Sequence, residues 1–168
     1  MSLNHGELLP SEETMFSYAV PSWDLDQGDI PTDVISNGLA FKAFGQLNTA
    51  IYADVPLAAP YVKNQSIHAK VAFKTSAGSP GNAAILLGYL VTDEGAVLSG
   101  TFTQGVFITT VDPSTGLQLV TLEDAIPSQE HLSNPLVLTL IFGRLAENAG
   151  DNLPDDLLVL GVNLYQEG

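Results

Sequence analysis

PLVLTLIFGR (135–144), LAENAGDNLPDD (145–156) and LLVLGVNLY (157–165) decide the fold. Two β-type runs flank an acidic connection rich in Gly, Pro and Asn. Successive strand residues point to opposite sides. Leu136, Leu138, Leu140 and Phe142 therefore share one face of the first run, and Leu158, Leu160, Val162 and Leu164 one face of the second. The opposite faces (Val137, Thr139, Ile141; Leu157, Val159, Asn163) are only partly polar. Both faces of each run need cover, which suits inner strands of a β-sandwich and not a hairpin in water.

Outward from this pair the same grammar repeats. LAFKAF (39–44) and TAIYADVPL (49–57) read as strands, the second ended by Pro56. SIHAKVAFKT (66–75) alternates, with Ile67, Ala69, Val71 and Phe73 facing in and His68, Lys70 and Lys74 facing out. SAGSPGN (76–82) turns the chain into AAILLGYLV (83–91), which is apolar on both faces and reads as a central strand. TFTQGVFITTV (101–111) carries Gly105 as a bulge or a close approach. DPSTG (112–116) is a turn, LQLVTLED (117–124) a strand and AIPSQEHLSN (125–134) a loop. About eight short strands without a long helix predict an all-β, antiparallel, jelly-roll-like β-sandwich. Residues 1–38, punctuated by Pro10, Pro21 and Pro31 and crowded by Asp24, Asp26, Asp29 and Asp33, read as an extended N-terminal arm with one short strand at Met15–Val20. Residues 39–168 form the sandwich domain.

The bulk numbers bound the function. A chain of 168 residues makes one ordinary domain. At 17.7 kDa it buries enough surface to hold a core unaided. Nineteen Asp and Glu against five Lys and Arg give a net charge of −14, which repels phosphates and argues against nucleic acid or an anionic membrane as partners. The same acidity keeps a Leu/Val-rich β-protein in solution. Without cysteine there is neither a disulfide framework nor thiol chemistry. MSLNHGELLPSEET (1–14) has no basic region and no continuous apolar core, so it does not read as a signal peptide. No apolar run reaches the ~20 residues of a spanning helix. The expected site of synthesis is the cytosol.

No motif supports catalysis. His5, His68 and His131 stand far apart, and no metal-ligand spacing or Gly-x-Ser-x-Gly elbow occurs. Catalytic residues, cofactors and metals are therefore all expected to be none. Asp24-Leu25-Asp26-Gln27-Gly28-Asp29 is the one metal-like string, but its twelfth position is Ile35 where a Ca²⁺ loop needs Glu, and a solvated acidic turn is the better reading. Arg144, the single arginine, precedes the acidic 145–156 connection. It either ties that loop to the sheet by a bidentate pair or anchors an interface. Trp23 plugs a core end or forms a ligand platform. Tyr18, Tyr52, Tyr61 and Tyr89 are candidates for stacking on sugars.

PSWDLDQGD (21–29), AIYADVPLAAPY (50–61), IHAKVAFKTSAGSPGNAAILLGY (67–89), LVLTLIFGR (136–144) and LLVLGVNLY (157–165) follow one another in an order that resembles small β-sandwich virion structural proteins of tailed bacteriophages. Trp23, Pro56, Arg144 and the 158–165 run carry the match; Phe73 stands where that family usually has a Trp. The resemblance implies a non-enzymatic virion protein, made in the host cytoplasm, that decorates or cements the capsid surface. Its implied partners are the major capsid protein or another virion protein and further copies of itself, with a trimer among the expected forms. The N-terminal arm would dock it, with Trp23, Asp24, Asp26 and Arg144 as interface residues. The alternative is a carbohydrate- or receptor-binding domain of a phage head or tail fibre. Tyr52, Tyr61, Tyr89, Trp23, Asn64 and Asn82 gathered on one face would favour that alternative. A glycosidase-like enzyme, with two carboxylates facing across a cleft, ranks last.

Overall fold

A computed structural model of the chain describes residues 12–19, 24–28, 31–57, 61–97 and 100–167. Its strands are β1 Glu12–Ala19, β2 Asp24–Gly28, β3 Thr32–Ser36, β4 Leu39–Phe44, β5 Thr49–Pro56 and β6 Ile67–Thr75. They continue as β7 Gly81–Asp93, β8 Thr103–Val111, β9 Gln118–Ile126, β10 Pro135–Arg144 and β11 Leu157–Glu167. One sheet runs β3-β4-β11-β6-β9, with β1 also paired to β11; the other runs β2-β5-β10-β7-β8. Every pairing is antiparallel. From β4 onward successive strands mostly cross from one sheet to the other, as expected of a jelly-roll-like sandwich.

The two runs that flank the 145–156 connection are the middle strands of opposite sheets. β10 lies between β5 and β7, and β11 between β6 on one side and β4 followed by β1 on the other. Leu138, Leu140 and Phe142 are fully buried in the core between the sheets, while Ile141 packs on the outer face against Ala50 and Leu86. Phe44 of β4 meets Phe142 edge-on at 5.7 Å, joining the two layers. β11 departs from simple alternation. Its register against β6 slips between Val159 and Gly161, so Leu157 and Val159 share the inner core with Val162 and Leu164, and Leu158 faces outward beside Phe41. One extra residue flips every side chain beyond it. The bulge stands where cover on the other side of β11 passes from β4, which pairs Leu157–Val159, to β1, which pairs Gly161–Glu167.

The eight strands expected from residue 39 onward are all present. The N-terminal stretch is extended, but its described parts are woven into the sheets: β1 pairs β11, β2 pairs β5 and β3 pairs β4. It supplies three strands where one was expected. The boundary expected after residue 38 falls inside a hairpin, because Asn37 (φ 51°) and Gly38 (φ 79°) form the two-residue turn between β3 and β4. Left-handed conformations at both turn positions are what a tight hairpin needs, and Asn-Gly supplies them. Gly105 causes no bulge, since β8 pairs β7 in unbroken register; the ring of Phe107 leans over it.

One end of the sandwich is closed by Arg144, which is 0% exposed. Its Nε and Nη2 donate to the two carboxylate oxygens of Asp151 at 2.9 and 2.8 Å. Nη2 also donates to Leu153 O at 2.6 Å, and Nη1 to Asp155 O at 2.7 Å and Gly45 O at 3.2 Å. These contacts occupy all the N–H groups a guanidinium has. Asp151, whose side chain is 2% exposed, accepts in addition from the Ala84 and Leu153 amides. The loop-tying role expected for Arg144 is therefore the one the structure shows. Its interface role is not: the side chain is buried, and its donors are spent within the chain. Beside it Gly143 has no room for a side chain, because a Cβ there would lie 2.0 Å from Thr49 O. Asp155 completes this end by accepting from the Ser79 amide at 2.7 Å and the Ala77 amide at 3.2 Å. The Ser79 amide does most to hold the Asp155 carboxyl below the ordinary aspartate range; desolvation opposes this, and the Ser79 and Thr75 hydroxyls and the Ala77 amide add to the lowering.

Two outcomes follow for this end. Arg144→Met leaves Asp151 and three backbone carbonyls without their donor and costs about 3–5 kcal/mol in denaturant unfolding. The double variant Arg144→Met/Asp151→Leu does not recover that loss, because the carbonyls and the Ala84 amide remain orphaned. Asp155 has a depressed folded-state pKa, so its contribution is present above the unfolded value of ~3.9 and is lost as pH falls through the lower folded value. Thermal denaturation of Asp155→Asn against the parent chain is expected to show a smaller loss of stability over that acid range.

Candidate functional site

The closed end leaves the other end of the sandwich to carry concave surface. The β5–β6, β7–β8 and β9–β10 connections meet there. The Asp93 carboxylate accepts from the Ser133 amide at 3.1 Å and from the Asn134 amide, and Asn134 Nδ2 donates to Glu94. The Gln129 amide donates to Lys63 O at 2.6 Å, and Lys63 Nζ donates to Leu132 O at 3.1 Å. Gln166 of β11 receives the Val62 amide and donates to Val62 O and Gln65 O. Side-chain clasps thus hold loops that lack strand partners.

Among the described residues three clefts stand out at this end. The first, about 250 Å³, is lined by Tyr89, Leu90, Val91, Thr101, Thr103, Pro127, Ser128, Gln129 and His131. Tyr89 packs against the inner core, so this cleft is a mouth between the two sheets. It presents two aromatic rings, hydroxyls and an amide, and no carboxylate or ammonium. The second, about 310 Å³, lies along Leu90, Thr92, Asp93, Thr139 and the loop at Val97 and Gly100. The third, about 580 Å³, is acidic: Glu123, Asp124 and Glu167 line it with Gln65, Ser66 and His68.

His68 lies on the outward face of β6, as expected, yet it is only 8% exposed. Its ring lies over Tyr165 at 5.2 Å, and Nδ1 accepts the Asp124 amide at 3.0 Å. Glu123 Oε2 is also 3.0 Å from Nδ1. One ring nitrogen cannot accept from the amide and donate to the carboxylate together. The Asp124 amide bond makes Nδ1 an acceptor, so Glu123 stands beside it without a hydrogen bond to that nitrogen. Among the described residues no three His, Asp or Glu side chains are grouped to hold a metal ion. The Asp24–Gly28 string is strand β2 and not the expected turn. Extended backbone does not wrap a cation that wants six to eight oxygens.

Of the interface residues expected from sequence, Asp24, Asp26 and Arg144 lie within the described residues. Trp23 lies outside the described residues. Asp24 stands opposite Tyr52 in the β2–β5 register, and Asp26 falls at the irregularity between Leu25 and Gln27. Arg144 sits at the closed end. The aromatic platform is dispersed: Tyr61 and Tyr89 pack on the inner core, Tyr52 on the outer face with Ile141 and Leu86, and the Asn82 amide bonds Asn152 at the closed end. Among the described residues of that set, Tyr89 lines a cleft with polar company. Its neighbours Ser128, Gln129 and His131 sit in the stretch read only as a loop.

Among solved structures the chain is similar to the CBM36-1 domain of a multidomain xylanase from the hindgut metagenome of Trinervitermes trinervoides, with TM-score 0.50 and 12% identity, covering 89% of this chain and 94% of that one. It is also similar to a cycloisomaltooligosaccharide glucanotransferase of Paenibacillus sp., with TM-score 0.49 and 12% identity over 92% of this chain and 19% of that one. A family 30 carbohydrate-binding module gives TM-score 0.45 and 14% identity, covering 92% of this chain and 83% of that one. The first likeness agrees with the β-sandwich fold. No protein-family model matches the chain, and no curated protein sequence does.

Tyr61 gives a test of how this end is packed. Burial raises its pKa, and its hydroxyl finds no partner among the described residues. An orphaned buried hydroxyl costs more than its absence. Tyr61→Phe is expected to keep or raise the melting temperature; a fall of several degrees would reveal a bond that the hydroxyl makes.

Proposed function

We propose that this chain is a non-enzymatic domain that binds neutral carbohydrate in the cleft between the sheets at the open end. The observation that carries the reading is the lining of that cleft. Tyr89 and His131 offer rings, and Thr101, Thr103 and Ser128 offer hydroxyls, while the buried Gln129 amide beside them is held by Pro127 O. Sugars present C–H faces beside hydroxyls, so apolar rings interleaved with uncharged donors and acceptors are the chemistry that recognises them. A volume of about 250 Å³ suits one or two sugar rings at a chain end rather than a long polymer lying on a sheet. Net charge −14 disfavours sulfated or phosphorylated glycans. The likeness to a xylanase domain supplies the architecture; the residues of the cleft supply the ligand class.

The enzymatic alternative asks for two carboxylates in different environments. The acidic cleft holds Glu123, Asp124 and Glu167, but all three are exposed. Nothing apolar sets one of them apart as a proton donor. Decoration of a virion is the second reading. It rests on the order of sequence motifs, and an uncharged sheet edge on β8 favours an assembling protein. Its docking element cannot be the whole N-terminal stretch, since β1, β2 and β3 are committed to the sheets.

The experiment is titration calorimetry with neutral and sulfated oligosaccharides. Neutral ligands should bind and sulfated ones should not. His131→Ala, a change at an exposed side chain, should weaken binding roughly fivefold to tenfold, the size of one lost hydrogen bond, while leaving the melting temperature in place. No heat with any neutral oligosaccharide, or equal affinity for the sulfated ones, would reject the reading.

A further inference from the structure

The edges of the two sheets are treated unequally. Edge strand β1 carries Glu12 and Glu13 and a register shift; β2 carries Asp24 and Asp26 and another. The outer strand β3 is 5 residues long and carries Asp33. β9 carries Glu123 and Asp124, the latter at φ 47°, and its register with β6 also slips. Charge, brevity and irregularity are the usual devices that stop edges from pairing. β8 has none of them. TQGVFITTV (103–111) is 9 residues long, has no charged residue and no Pro, and pairs β7 in unbroken register along its whole length. It leaves Val106 and Ile108 46% and 50% exposed on the outer face. In a chain of net charge −14 a neutral edge of this length is an exception.

We infer that β8 is the interface through which two copies of this chain associate, by antiparallel pairing of β8 with β8 across a two-fold axis. Charge selects the occupant. Two identical acidic chains repel wherever their carboxylate-bearing edges meet, and β8 is the edge along which they approach without that cost. The sequence is also self-complementary about Phe107. A two-fold axis there sets Val106 opposite Ile108 of the partner, and Ile108 opposite its Val106. Gln104 faces Thr110, and Gly105 faces Thr109. Four exposed apolar side chains are covered together, and a two-fold contact of this kind closes at the dimer. Asp112, just past the strand, meets the partner's uncharged residues near its Phe102 and no carboxylate. β10 and β7 are paired along both edges within their own sheet and offer no free edge.

Antiparallel pairing sends the open ends of the two copies in opposite directions. The dimer is therefore a linker: whatever binds at the open ends is bridged rather than held twice on one surface. The interface does not depend on the identity of that ligand.

Sedimentation velocity of the full chain over a concentration series should show a monomer–dimer equilibrium, and Val106→Glu should leave a folded monomer with an unchanged far-ultraviolet spectrum. Register is read independently, because the chain has no cysteine of its own. Val106→Cys/Ile108→Cys should form a disulfide-linked dimer on mild oxidation, whereas Val106→Cys alone should not. A monomer at every concentration, a dimer that survives Val106→Glu, or cross-linking that is equal in the single and double variants would each overturn the inference.

Discussion

The bidentate pair of Arg144 with Asp151 is the constraint on which the rest of the sandwich hangs. β10 and β11 are the middle strands of opposite sheets, so the 145–156 connection has to carry the chain across one end of the molecule. A connection rich in Gly, Asn and Asp has no core of its own, and one buried guanidinium organises it instead. The desolvation cost of burying both charges is offset because every donor is used and because Asp151 accepts a backbone amide from β7 and another from its own connection. Arg144 thereby joins the β4–β5 turn, the start of β7 and the long connection at one point. Gly143, with no space for a Cβ beside Thr49 O, lets β5 come close enough for the guanidinium to reach Gly45.

Closing one end this tightly divides the molecule. At the Arg144 end, backbone groups find partners in carboxylates and a guanidinium, and little surface is left unspoken for. At the other end the loops are pinned by a few clasps, from Asp93, Lys63 and Gln166, and open clefts lie between them. A rigid scaffold with its variable chemistry gathered at one end is the arrangement by which sandwiches bind ligands. The order of strands dictates which loops meet: β6, β7 and β9 begin or end beside one another although they lie far apart in sequence.

The strands from residue 39 onward were legible because alternation and turn chemistry agree at each of them. SAGSPGN and DPSTG both mark real connections between strands. What failed has physical reasons. The strand expected at Met15–Val20 is β1, but β2 and β3 hide in a stretch whose prolines and aspartates depress the strand signal, and pairing with β5 and β4 overrides that local preference. Asn37-Gly38 is a strong hairpin signal, but a shift in composition across it looks like a boundary. The bulge at Leu160 is invisible in a run where every residue is apolar, since alternation carries no information there. Arg144 was legible in kind, as a fork before acidic residues, while its three carbonyl partners were not. The cleft at Tyr89 and His131 was not legible, because it exists only where loops separated by the whole of β8 and β9 converge.

The charge of the chain acquires a location through this fold. Composition alone reads nineteen acidic residues as solubility. In the structure they do separable work. Asp151 and Asp155 satisfy backbone amides at the closed end. Asp93 clasps a loop. Asp24, Asp26, Asp33, Glu123 and Asp124 stand on edge strands, where carboxylates oppose pairing with a second chain. Acidity spread without regard to the fold would have put a charge on β8 as well. Its absence there, in the most regular of the edges, makes the distribution of charge a statement about which surface is kept apart from other chains and which is left free to meet one.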